Sequence, residues 1–132
     1  MGSPLVLDSF ACLAYLLGEP SGALVRGILG AGLRGETELH VCAVNVTEVT
    51  YRLRRLVGGA GATEGIRRFL ALGLTVHDAD LDLCLAAAAL KRPRVALGDA
   101  FAAALAQRLD AAVVTGDPEF RHLEDVVRVE WL

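Results

Sequence analysis

The sequence predicts an α/β fold: a three-layer α/β/α sandwich around a central parallel sheet of four or five strands. Three observations carry that expectation. Short apolar runs of strand length alternate with stretches of helical spacing along the chain. The runs read as buried strands, which suits a parallel sheet covered on both faces. Several connections between them carry more than one helix, as parallel neighbours need. No repeat, linker or low-complexity tract interrupts the 132 residues, so a single domain spanning 1–132 is expected.

The elements follow in order. PLVL at residues 4–7 reads as the first strand, and SFACLAYLLG after it has helical spacing that stops at Gly18. Residues 21–35 read as a helix weakened by its glycines. LHVCAV at 39–44 is the second strand. Residues 45–59 form a helix with Asn45 as its N-cap and a glycine pair at its end. A further amphipathic helix covers 62–73, and LTVH at 74–77 is the third strand. Residues 78–92 begin with acids and end with bases, as the helix dipole prefers, and Pro93 stops them. Residues 97–110 are alanine-rich and strongly helix-forming. AAVVT at 111–115 is the fourth strand, and VVRVEW at 126–131 alternates like an edge strand.

Apolar residues make up 54% of the chain, and the mean hydropathy is +0.46. Part of that excess is expected to be buried between chains, in a homodimer or against a tight protein partner. The net charge of −3 is unlike that of a typical nucleic-acid binder. Acids gathered at one metal site would nevertheless leave the remaining surface more basic than the total. Cys12, Cys42 and Cys84 lie far apart without CxxC spacing, which fits buried thiols in a reducing cytoplasm. No run reaches the ~18 apolar residues of a membrane helix. The apolar start contains Asp8 and lacks the basic leader of a signal peptide. A cytoplasmic protein without membrane association is expected.

Against this map, four acids stand at the starts of elements. Asp8 follows the first strand, Glu48 lies in the first turn after the second, Asp99 heads the alanine-rich helix, and Asp117 follows the fourth strand. Each has a local explanation. Asp8 and Asp117 can cap helices, Pro118 suits a first helical position, Asn45 and Glu48 have capping-box spacing, and Asp99 favours a helix start through the dipole. Parallel strands, however, put their carboxyl ends on one edge of the sheet, where ligands of open α/β folds bind. Three of the acids follow such ends, and the helix bearing Asp99 can pack beside them. Converging carboxylates repel one another and suit a hard cation such as Mg²⁺ or Mn²⁺. Such a site can activate a water for in-line attack on a phosphodiester.

At LVLDSFACLAYLLGEP, NVTEVTYRL, LGDAFAAALAQ and VVTGDPEF the sequence resembles the PIN domains, and more narrowly the VapC toxins of type II toxin–antitoxin systems. The resemblance runs over nearly the whole chain. It implies a PIN-like fold and a Mg²⁺- or Mn²⁺-dependent endoribonuclease held in check by a cognate antitoxin, usually as a homodimer. It assigns the metal-binding and catalytic positions to Asp8, Glu48, Asp99 and Asp117. Ser9 and Thr115 fall where the family often carries a hydroxyl beside the acids, and Asn45 where many members have Ser or Thr. The segment KRPRVALGD is compact compared with many members.

Arg52, Arg55 and Arg121 are candidates for contact with RNA phosphates or with an acidic antitoxin segment, although a run such as Arg52, Arg54 and Arg55 also reads as a solvated face. Lys91, Arg92 and Arg94 can serve likewise or favour a helix end. His40 and His77 read as structural, Phe10 and Tyr15 as core packing, and Trp131 as packing against the sheet edge. Two other functions fit the same residues. One is a PIN-like nuclease of RNA processing outside toxin–antitoxin systems. The other is a module that binds RNA or protein without cleaving.

Overall fold

The computed structural model describes residues 2–132. Its elements are β1 (Leu5–Leu7), α1 (Ser9–Leu16), α2 (Gly22–Leu33), β2 (Leu39–Cys42), α3 (Ala43–Leu70), β3 (Leu74–His77), α4 (Leu81–Leu90), α5 (Leu97–Leu109), β4 (Ala112–Thr115), a short 3-10 helix (Pro118–Leu123) and β5 (Arg128–Trp131). The five strands form one sheet in the order β3-β2-β1-β4-β5, with every neighbouring pair parallel. The expected α/β/α sandwich is therefore present, with five strands.

Alternation along the strands builds the layers. Leu7, Val41 and Val114 face a core made with α1, α2 and α3, where Val25, Val49 and Phe69 are buried. Their neighbours Val6, Cys42 and Val113 face the opposite core, made with α4 and α5. Successive residues of a strand point to opposite faces, so adjacent apolar residues serve two cores at once. Helix α5 is buried along most of its length, and Ala100, Ala102, Ala103, Ala104 and Ala106 are each at most 2% exposed. Small side chains let its backbone lie close to the sheet, which brings its first turn up to the strand ends.

The chain winds from β1 outward to β2 and β3, then returns through α4 and α5 to add β4 and β5 on the other side. The winding reverses at β1. In open parallel sheets that reversal leaves a crevice beyond the carboxyl ends of the central strands. Asp8 and Gly116 are the residues that follow β1 and β4 there.

Several boundaries differ from the sequence expectation. The second strand ends at Cys42, and α3 starts at Ala43 without a side-chain cap, so Asn45 lies inside the first turn and is not an N-cap. The two helices expected over 45–59 and 62–73 are both present within α3: they meet at a non-helical break at Gly58, in the glycine pair expected to end the first, whose φ of 81° is open mainly to glycine. Helix α4 starts after Asp80, which accepts a 2.8 Å hydrogen bond from the Leu83 N–H, and not at Asp78. Lys91 and Arg92 lie beyond its last residue, and Arg92 is paired with Asp125 at 2.9 Å. His40 and His77 are bonded to each other, ring nitrogen to ring nitrogen, at 2.8 Å. Tyr15 packs on Phe69 with ring centroids 5.6 Å apart. Trp131 does not pack away against the sheet edge: it keeps 41% of its surface exposed. The three thiols are unpaired, and among the described residues no helix is long and apolar enough to cross a membrane.

Candidate active site

Asp8 leaves β1 in an extended conformation and caps α1, accepting a 2.8 Å hydrogen bond from the Ala11 N–H through Oδ1. Its Oδ2 accepts from the hydroxyl of Thr115, at the end of β4. The same hydroxyl oxygen accepts from the Asp117 N–H at 3.0 Å. Thr115 thus ties the ends of the two central strands together beneath the acids. Asp117 in turn caps the 3-10 helix, accepting from the Glu119 N–H at 2.9 Å, with Pro118 at the first helical position. The capping expectation for both aspartates holds, and it leaves both carboxylates on the same edge of the sheet.

Glu48 enters from α3. Its Oε1 accepts from the Ser9 hydroxyl at 2.7 Å and from Asn45 Nδ2 at 3.2 Å. Asn45 Nδ2 also reaches Ser9 Oγ at 3.0 Å and the Gly98 carbonyl at 3.2 Å. This amide is fully buried and joins α1, α3 and α5 at one point. The capping role expected for Asn45 is replaced by a tertiary one. Its partners lie 36 and 53 residues away, and a buried amide that can reach them gains more than one capping an exposed helix end.

Asp99 sits in the first turn of α5, 8% exposed, and its Oδ2 is buried without a hydrogen-bond partner among the described residues. An unpartnered buried carboxylate oxygen costs free energy unless something positive fills the space before it. Burial pushes the Asp99 carboxyl up from an ordinary 3.8 to about 7, and repulsion from Asp117, Asp8, Glu48 and Glu119 adds to this. Burial likewise raises Asp8 to about 7. The Thr115 and Ala11 hydrogen bonds oppose that rise, while Asp117 and Glu48 reinforce it.

Among the described residues, Asp99, Asp117 and Glu119 form a group whose candidate ligand oxygens all lie within 4.8 Å of one another. Glu119 was not among the sequence candidates. The 3-10 turn after Asp117 returns it to the cluster, and the only hint in the sequence was a second acid two residues after a capping Asp. Asp8 and Glu48 act on this trio through their charge, while hydrogen bonds to Thr115, Ala11, Ser9 and Asn45 hold them in place. Oxygen-only donors at this density fit a hard divalent cation; among the described residues two buried side-chain oxygens lack a hydrogen-bond partner, the Asn45 amide Oδ1 and the Asp99 Oδ2, and the second, on a carboxylate, is the one such an ion would satisfy.

Gly98 is part of the same packing. A Cβ at this position would run into the Glu48 carboxylate. Because that carboxylate is the end of a flexible side chain, Gly98→Ala should displace it and leave the fold standing. The expected loss of stability is under about 1 kcal/mol in thermal melts. The expected fall in catalytic rate is roughly 10–100-fold, since a misplacement of about 1 Å is enough for that.

The arginine candidates are not all brought together. Arg52 and Arg55 lie on α3 beside a groove of about 520 Å³ lined by Phe10, Leu13, Leu17, Leu56 and Glu19. Arg121 is on the 3-10 helix with Glu119, its guanidinium carbon 6.0 Å from the centre of the Trp131 ring.

The sequence model of the PIN domain family matches residues 5–126 of the chain. No curated protein sequence matches it. Among solved structures, the chain is similar to VapBC2 from Rickettsia felis bound to a DNA fragment from its promoter, with 14% identity over 97% of this chain and 98% of that one and a TM-score of 0.76. It is also similar to DNA-bound VapBC from Salmonella typhimurium, with 17% identity over 98% of both chains and a TM-score of 0.71. A third similar structure is the sarcin-ricin loop cleaving toxin VapC20 of Mycobacterium tuberculosis, with 15% identity over 95% of this chain and 98% of that one and a TM-score of 0.69. At these identities the likeness is one of fold.

Proposed function

The chain belongs to the PIN domain family, and on that premise we propose that it is a metal-dependent endoribonuclease acting as the toxin of a toxin–antitoxin pair. The observation that carries this reading is the buried, unpartnered Asp99 oxygen inside a ring of carboxylates at the reversal point of the sheet. In this reading Asp99, Asp117 and Glu119, with Asp8, hold Mg²⁺ or Mn²⁺. When bound, the cation supplies positive charge for the phosphate and lowers the pKa of a water. The chain's own residues set the stage. Thr115 and the Ala11 N–H fix the Asp8 carboxylate, and Ser9 and Asn45 fix Glu48. Helices α1 and α5 both begin at this edge, so their N-terminal dipoles favour a phosphate there. Water as nucleophile leaves the 2′-hydroxyl unused, so the products carry 5′-phosphates and 3′-hydroxyls.

The partners follow from two surfaces. The apolar groove beside Arg52 and Arg55 supports docking of an acidic, apolar-faced segment of the antitoxin. The similar VapBC structures lend that partner weight. Helix α4 carries Leu81 and Leu85 one turn apart, 72% and 61% exposed, on a helix that is apolar nearly all round. Such a helix needs cover, which supports a homodimer.

The test is cleavage of a mixed tRNA and rRNA pool by purified, antitoxin-free protein with Mg²⁺, Mn²⁺ or EDTA, followed by end-group analysis. Discrete fragments with 5′-phosphates, lost in EDTA, are expected. Fragments ending in 2′,3′-cyclic phosphate, or cleavage that persists in EDTA, would sink the mechanism. Metal-loaded protein that binds RNA without cutting it would favour the non-cleaving module.

A further inference from the structure

We infer that Trp131 and Arg121 form a stacking platform for a nucleobase of the RNA strand entering the acidic cluster, an assignment that rests on the ribonuclease reading above. Trp131 is the only tryptophan in the chain and keeps 41% of its surface exposed. It is the last residue of β5, and its register partner on β4 is Thr115. Thr115 is the residue whose hydroxyl bonds Asp8 and the Asp117 N–H. Neighbouring strands run about 4.8 Å apart, so the indole is anchored one strand from the residue that organises the acids. Nothing in the core accounts for an indole left open there.

Arg121 supplies the second part. Its guanidinium carbon lies 6.0 Å from the ring centre, and among the described residues no carboxylate is within ion-pair range of it. It is two residues from Glu119, on the same short helix. The indole N–H donates to Glu124 Oε2 at 3.4 Å, which orients the ring. An oriented indole with an unpaired cation over one face, part of its surface open, and one strand from the acidic edge, fits one nucleotide, whose base would take the other face. The base stacks on the ring and the adjoining phosphate meets Arg121. Stacking of this kind accepts any base, so the platform would hold the strand without choosing the sequence.

The single tryptophan makes the test direct. Asp99→Asn protein in EDTA, conditions in which cleavage is not expected, is titrated with oligoadenylate and oligouridylate decamers and with an abasic decamer of equal charge. Indole emission should be quenched by the base-bearing strands and not by the abasic one. In wild-type background, Trp131→Leu should raise KM about tenfold with little change in kcat, and Trp131→Phe should restore most of it. Quenching by neither base-bearing decamer, equal quenching by the abasic strand, or wild-type KM in Trp131→Leu would overturn the platform. Cleavage by wild type runs in parallel. Quenching without any cleavage would keep the platform and remove the ribonuclease reading, and cleavage unaffected by Trp131→Leu would do the reverse.

Discussion

Asp99→Asn is expected to reduce metal-dependent cleavage on the order of 10³-fold or more, because several kcal/mol of charge stabilisation depend on the ion it helps to hold. The substitution preserves shape and removes the charge, so the fold should persist, as circular dichroism will show. Metal-free protein should become more stable at pH 8. Wild type there must ionise a carboxyl that burial and four neighbouring acids hold near 7, and the asparagine does not. Loss of activity together with a higher metal-free melting temperature would distinguish a ligand from a structural residue, which would lose both. Retained cleavage would remove Asp99 from the site.

The second large effect is on stability. In the metal-free fold Asp8 and Asp99 titrate near 7, against 3.8 for an ordinary aspartate. Between those values the folded chain holds protons that the unfolded chain has released. A raised carboxyl pKa therefore contributes stability that is fully present below about pH 4 and is lost as pH rises through about 7. Each group alone would give up to about 4 kcal/mol. The two repel each other, so they titrate as a pair and the fall is spread over a wider pH range than a single group would give. Thermal melts in EDTA should fall steadily from pH 5 to pH 8. Saturating Mn²⁺ should flatten the curve by binding the ionised, folded form. Metal-free stability that rises over this interval would show that the acids are not buried together.

The sheet and four of its acids were legible because the signal for each is local. A run such as LVL or AVVT followed at once, or after one glycine, by Asp marks a strand end, and parallel topology does the rest. The misread parts depend on distant partners. Asn45 and Glu48 match a capping box in spacing, yet the partners that decide the role of Asn45 are Ser9 and Gly98, and no local pattern shows that they will arrive. Glu119 was hidden because a 3-10 turn and a longer helix share the same Asp-Pro opening. Trp131 was assigned to packing on its chemistry, since an alternating edge strand does not reveal that its last ring is left uncovered.

The hydrogen bond from Thr115 to Asp8 spans 107 positions of sequence, and β1 finds its β4 neighbour only from Ala112 onward. On the ribosome, at ~5–20 residues per second, Asp8 waits roughly 5–20 s for the strand that completes its surroundings. Glu48 and Asp99 are made in the interval, and the contacts of Ser9, Asn45, Glu48 and Gly98 do not involve β4, but Thr115, Asp117 and Glu119 are still missing. A chain halted before that strand carries most of the acids but not the complete site. The acidic edge is therefore incomplete until β4 and the turn after it have been made. The long-range sheet order acts as a timer, giving the cell a window in which a partner already present can meet the chain before that edge is complete.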